Sequence, residues 1–383
     1  MDPLLAAVGE RIRSRMPYGM TQRELAQRVH MTPDALSRAL NSQRGFSLTE
    51  LARIAEALGA DAHWILTGRA DPHRMDFAAR HSWDPSSRKR ANPGQDVDQS
   101  ILNRITELYR AAYPDMVPAS DPLPDNPGAV RRLLGAEFVR RFAEVAEARL
   151  GIDVVRVSEL TTDYSLTVGE RGVILLRAMP GWFRSNWSLA HELGHLALGH
   201  HDGYASTTKF QEGAANAFAA ELLLPADLVS GQDWTRIDGD GLVRFLWETG
   251  VSTRALQNRL SHLGLETSDA VREALTLSTP RLIRTHSSVI GTADLDGPTR
   301  VADREQQASA RRFPLHLVSA LTQRVETGVI SPTTLAWVLD VPLDDIDFPE
   351  PDDDQDAAAT RYETAMAEPN AADIASWLGA QSA

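Results

Sequence analysis

The sequence predicts a mainly α chain with a small β-sheet (α+β), and three observations lead there. Apolar residues recur every three or four positions through most of the 383 residues, the spacing of a helix with one buried face. Residues 153–177 differ from it, with three short β-rich runs. Directly after them, the stretch WSLAHELGHLALGHH, from Trp187, reads as a buried helix. With 43% apolar residues, the chain has material for two or three domains. It has no cysteine, which excludes disulfides, thiolate metal sites and cysteine nucleophiles. No apolar run approaches the roughly 18 residues that span a bilayer, and the first residues lack a signal-peptide pattern. The expectation is a cytoplasmic protein with no membrane partner.

Residues 1–68 are expected to form an all-α domain. Residues 4–15 are amphipathic, Thr21 can cap TQRELAQRV, and Thr32 can cap TPDALSRALNS with Pro33 at the favoured first position. Ser47 then caps LTELARIAEALG, which Gly59 ends. Two short helices with a tight turn between longer ones read as a helix-turn-helix. Through Gln22, Leu25, Ala26, Leu36, Ser37 and the repeat at 51–58, this stretch resembles the XRE (Cro/cI-type) family. The resemblance implies a recognition helix over residues 32–42 that binds double-stranded DNA. It places Gln22, Arg38 and Arg44 near phosphates, with Thr32, Asp34 and Ser37 as further candidate DNA contacts. At the front of that helix Pro33, Asp34 and Ala35 stand where amides and hydroxyls are usual; Asp34 can accept from cytosine N4 but repels phosphate. The competing reading is a protein-docking bundle. The net charge of −13 argues against a general polyanion binder, and only residues 1–70, with nine Arg against seven acidic residues, are even weakly basic.

Residues 69–128 read as a linker with one short helix at 101–112 and five prolines over 114–128. Residues 129–150 look like one long helix. The β-rich runs fall at 153–158, 164–168 and 172–177, and residues 173–176 are expected to offer an open edge to an extended substrate.

His191, Glu192 and His195 form H-E-x-x-H. On a helix, residues four apart share a face, so both imidazoles can reach one ion while Glu192 can reach a water bound to it. Two residues compete as third ligand. His201 has the spacing of the longer H-E-x-x-H-x-x-G-x-x-H pattern, but its glycine is displaced by one, to Gly199. Glu212 lies on a second helix, QEGAANAFAAELLLP, with Phe210, Ala214, Phe218 and Leu222 at helical spacing, Asn216 one turn on as a candidate partner for a ligating His, and Pro225 as the stop. Glu212 is preferred.

At Ser188–His200 and Glu212–Pro225, SLAHELGHLALGH and EGAANAFAAELLLP, the chain resembles the ImmA/IrrE family of metallopeptidases. The resemblance implies a zincin-like domain at 129–279, with His191, His195 and Glu212 as ligands of Zn²⁺ (Mn²⁺ as the alternative). It also implies Glu192 as general base. Many members carry a further Glu where this chain has Ala214. The implied activity is zinc-dependent cleavage of a specific protein, an XRE-type repressor, controlling stress or mobile-element genes. The alternative is a DNA-binding regulator whose peptidase-like domain senses a ligand or metal without cleaving. A third reading is an antitoxin-like scaffold that holds a partner through its tail.

Residues 240–266 repeat a helix-turn-helix-like pattern but are expected to pack on the catalytic core. Residues 281–309 look irregular within a C-terminal helical module at 280–347, and residues 348–383 form an acidic tail expected to be disordered. The oligomeric state is left open, with a dimer as one option.

Overall fold

The computed structural model describes residues 3–79, 82–84, 89–91, 95–201, 208–291 and 297–346. The acidic tail lies outside the described residues. Helices α1 (Pro3–Arg15), α2 (Gln22–Arg28), α3 (Pro33–Leu40), α4 (Leu48–Leu58) and α5 (Ala62–Thr67) come first. Their boundaries follow the caps: Thr21 with Glu24 and Ser47 with Glu50 close capping boxes, and Thr32 accepts from the Ala35 amide. The core of this unit is its own, built around Ile12, Leu25, Leu36, Leu40, Ile54 and Ile65.

Strand β1 (Met75–Ala79), the hairpin β2 (Ser82–Asp84) and β3 (Lys89–Ala91), and α6 (Gln95–Ala112) come next. Then come α7 (Pro127–Leu134), α8 (Phe142–Leu150), β4 (Asp153–Val157), β5 (Tyr164–Val168), β6 (Arg171–Arg177), α9 (Trp182–Ala197) and α10 (Lys209–Leu223). The remaining helices are α11 (Ala226–Ser230), α12 (Gly239–Thr249), α13 (Thr253–Leu263), α14 (Asp269–Thr276), α15 (Thr279–Thr285), α16 (Gly297–Ser309), α17 (Leu315–Glu326) and α18 (Pro332–Leu339). No described helix is long and apolar enough to cross a membrane.

The main sheet has the order β1-β5-β6-β4, with β4 and β6 parallel and the other pairs antiparallel. Alternate residues of its strands face two different cores. Val154, Ile174 and Leu176 join α8, α9 and α10. Val155, Val157, Val173 and Leu175 join residues of α6 and α17. A sheet buried on both faces explains why its strands read as continuous apolar runs.

That second face corrects several expectations. Residues 69–128 are not simply a linker: they supply β1 and an 18-residue helix whose Leu102, Ile105 and Tyr109 are buried against the sheet. The C-terminal stretch is not a separate module either, since Leu317 and Leu321 of α17 lie in the same core. Residues 281–309, expected to be irregular, are largely helical because Leu282, Ile283 and Val301 pack into the first core. The long helix expected over 129–150 is broken where Gly135 (φ 82°) and Glu137 (φ 58°) take positive φ. Residues 173–176 offer no open edge, because β6 is hydrogen-bonded by β4 on one side and β5 on the other. The outer side of β4 meets Arg312, which exchanges two main-chain hydrogen bonds with Arg156.

Candidate metal centre

Helix α9 follows the central strand directly and is tied to it. Ser188 Oγ donates to Asp163 Oδ2 (2.7 Å), while Asp163 Oδ1 accepts from the Arg177 amide at the end of β6 (2.8 Å). Helix α9 is thereby tied to the sheet at Ser188, and His191, Glu192 and His195 are 0%, 1% and 1% exposed. Helix α10 crosses α9 at Gly194, where an added Cβ would stand 3.2 Å from both Ala215 Cα and Phe218 Cβ. The missing side chain lets the backbones approach closely enough for Glu212, one turn before Ala215, to face the two histidines.

Nε2 of His191 and Nε2 of His195 lie 3.2 Å apart. Glu212 Oε2 is 3.4 Å from the first and Oε1 is 3.6 Å from the second. No other group of three or more His or acidic residues among those described has ligand atoms so gathered. Donors about 2.0–2.2 Å from a tetrahedral ion lie ~3.3–3.6 Å from each other, so the donor set and its spacing fit Zn²⁺. Burial above all, and then the neighbouring His191, hold His195 far below its ordinary pKa, in the neutral form that a ligand requires.

The chain leaves α9 through Gly199 (φ 64°), and the His200 amide donates back to the His195 carbonyl (3.1 Å). That turn sets His200 Nδ1 2.9 Å from His195 Nδ1. The pairing was not read from the sequence; a glycine in a left-handed turn just after the motif was its signal. His201 is not part of the three-residue cluster. Asn216 sits one turn after Glu212, but its Nδ2 donates to the Glu212 carbonyl (2.9 Å) rather than to a ligand histidine. Phe210, expected on the buried face of α10, is exposed; that face is formed by Ala215, Phe218, Ala219 and Leu222.

In the N-terminal unit, Gln22, Thr32, Asp34 and Arg38 are exposed and Ser37 is half-buried. Thr32 caps α3, and Arg38 pairs with Asp34 (2.8 Å). Arg44 does not extend towards a ligand: it bonds the Ala35 carbonyl (3.1 Å) and Glu50 (2.6 Å), bracing α3 against α4.

Two family models match the chain: an IrrE N-terminal-like domain over residues 147–261 and a helix-turn-helix over residues 13–65. Neither a curated protein nor a solved structure matches it. The first match spans both α9 and α10, and the second spans α2 and α3. The chain thus joins an N-terminal helix-turn-helix domain of the XRE type to a metallopeptidase-type domain of the ImmA/IrrE family.

Proposed function

We propose that the protein is a zinc-dependent endopeptidase that cleaves a specific protein, an XRE-type transcriptional repressor. The observation that supports this reading is the convergence of His191, His195 and Glu212 with the buried Glu192 on the same helix. In this reading the three residues hold Zn²⁺. When bound, the ion lowers the pKa of a water towards roughly 7 and polarises a carbonyl. Glu192 accepts the proton of the attacking water and returns it to the leaving amine nitrogen. The burial of Glu192 keeps bulk water from competing for that proton. His200 keeps the His195 ring in the orientation and tautomer that frees Nε2. The N-terminal domain brings the peptidase to DNA where the repressor sits.

The test combines metal analysis with mass spectrometry of the XRE-type repressor encoded nearest its gene, after incubation with the metal-loaded protein. Glu192→Gln should retain metal and lose cleavage, and Glu212→Ala should lose both. Undiminished cleavage by Glu192→Gln would overturn the mechanism. DNA binding that persists without metal, together with intact repressor, would favour a regulator that senses without cleaving.

A further inference from the structure

The first half of α9, away from the metal ligands, borders a cavity of about 290 Å³ lined also by residues of α8, β4 and α16. Six arginines line it (Arg140, Arg141, Arg156, Arg304, Arg311 and Arg312) against one carboxylate, Glu144. Three of the six are already paired: Arg312 with Glu147, Arg311 with Glu159, and Arg140 with Glu137. Arg141, Arg156 and Arg304 have no ion pair among the described residues.

Those three form an unusual set of cations. Arg156 donates to the Gln307 carbonyl (2.9 Å), while its buried Nε has no acceptor among the described residues. Arg304 donates to the Trp247 carbonyl (3.2 Å) and lies 4.7 Å from the Trp182 ring and 3.7 Å from the Trp247 ring. Burial first, and then the neighbouring Arg312, lower Arg156 to about 10 against the smaller opposing pull of Glu144 and Glu147. Burial, then Arg140 and Arg300, lower Arg304 to about 9. Aromatic faces recover part of what a desolvated guanidinium loses, but like charges gathered around one cavity still call for a counterion.

We infer that this cavity binds a small phosphorylated metabolite, its phosphate or diphosphate group held by Arg141, Arg156 and Arg304. Guanidinium forks match phosphate oxygens two at a time. One phosphate group carries about −1.5 to −2 at pH 7, where a carboxylate carries a single charge, so phosphate best balances three cations in so small a space. The volume lies near the lower end of small-molecule pockets, roughly 300–1,000 Å³, too little for a nucleic-acid duplex. Leu189, two residues before His191, lines the same cavity, so the ligand would touch the helix that carries the metal ligands.

Calorimetric titration of the full chain with pyrophosphate, and separately with citrate, tests the inference. Saturable one-to-one binding of pyrophosphate is expected, weakened at least fivefold by Arg141→Gln and by Arg156→Gln. It should stay within twofold in Glu212→Gln, which separates this site from any phosphate drawn to a bound metal. Absence of saturable binding would overturn the assignment. So would loss of binding in Glu212→Gln alone, or citrate binding as tightly as pyrophosphate. If Arg156→Gln fails to fold, Arg141→Gln decides alone, because among the described residues the Arg141 side chain makes no hydrogen bond or ion pair. Unaltered binding in that variant refutes the site.

Discussion

Nδ1 of His195 and Nδ1 of His200 lie 2.9 Å apart, and only one of them can carry the proton between them. For His195 to offer a lone pair at Nε2, its Nδ1 must donate and His200 must accept. His200→Ala should therefore leave the fold intact and weaken zinc binding about 10–100-fold. His200→Asp, which restores an acceptor, should recover part of the loss. Competition titration against a chelating dye reads both, and unchanged affinity in the alanine variant would make His200 a bystander.

The contact between α9 and α10 at Gly194 makes a second prediction. Gly194→Val forces a side chain into a space where even a Cβ stands 3.2 Å from Ala215 and Phe218. It should destabilise the fold by about 1–3 kcal/mol and move Glu212 off the histidines, lowering metal content at the same time. Gly213→Ala on α10 is the control: beyond its own helical turn, no described residue lies within 4 Å of its added Cβ. Replacing glycine inside a helix should stabilise by roughly 0.5–1 kcal/mol. Thermal melts of both variants check the pair, and equal metal content in wild type and Gly194→Val would refute the role of the close approach.

A third prediction concerns acid. Asp153 is fully buried at the start of β4 and accepts from Tyr109 (2.6 Å), Arg171 (2.5 Å) and His316 (2.7 Å). Burial pushes its carboxyl up, but the hydrogen bonds from His316 and Arg171 outweigh it, so the folded pKa lies below the usual value. A folded pKa below the unfolded one gives stability that is fully present above the unfolded value, roughly 3.9, and is lost as pH falls through the folded value. Asp153→Asn should cost about 3 kcal/mol near neutral pH, because it leaves Arg171 without its partner. The gap between the two melting temperatures should narrow below about pH 4. A gap that stayed constant from neutral pH to pH 3 would contradict the linkage.

What the sequence made legible was local. The three strands fall close to where the β-rich runs stood, and α9 carries His191, Glu192 and His195 in the register that the four-residue spacing required. Glu212 could be preferred over His201 because the displaced glycine is itself a local signal. The errors are long-range. Nothing within residues 95–112 states that Tyr109 will meet Asp153, 44 positions away, or that α17 will lie beside α6. Residues 173–176 looked like an edge because the partners of a strand are fixed by topology, not by its own composition. The His195–His200 pairing and the tight crossing at Gly194 escaped for the same reason: each depends on a backbone approach that glycine permits but does not announce.

The final prediction concerns α3, where Asp34 and Arg38 form an exposed ion pair at 2.8 Å. In a DNA complex that carboxylate opposes phosphate and occupies the guanidinium that would reach for it. Asp34→Asn should therefore tighten non-specific duplex binding and steepen the slope of log K against log salt by about one unit, since each phosphate contact contributes roughly −0.9. Arg38→Gln should weaken binding and flatten the slope by a similar amount. Arg44→Gln belongs to a different category. It breaks the links to Ala35 and Glu50, so it should lower the melting temperature of the N-terminal unit before it alters any salt slope. Binding isotherms between about 50 and 200 mM salt separate these effects. If neither Asp34→Asn nor Arg38→Gln moves the slope, α3 does not face the phosphates, and the N-terminal unit docks on protein instead.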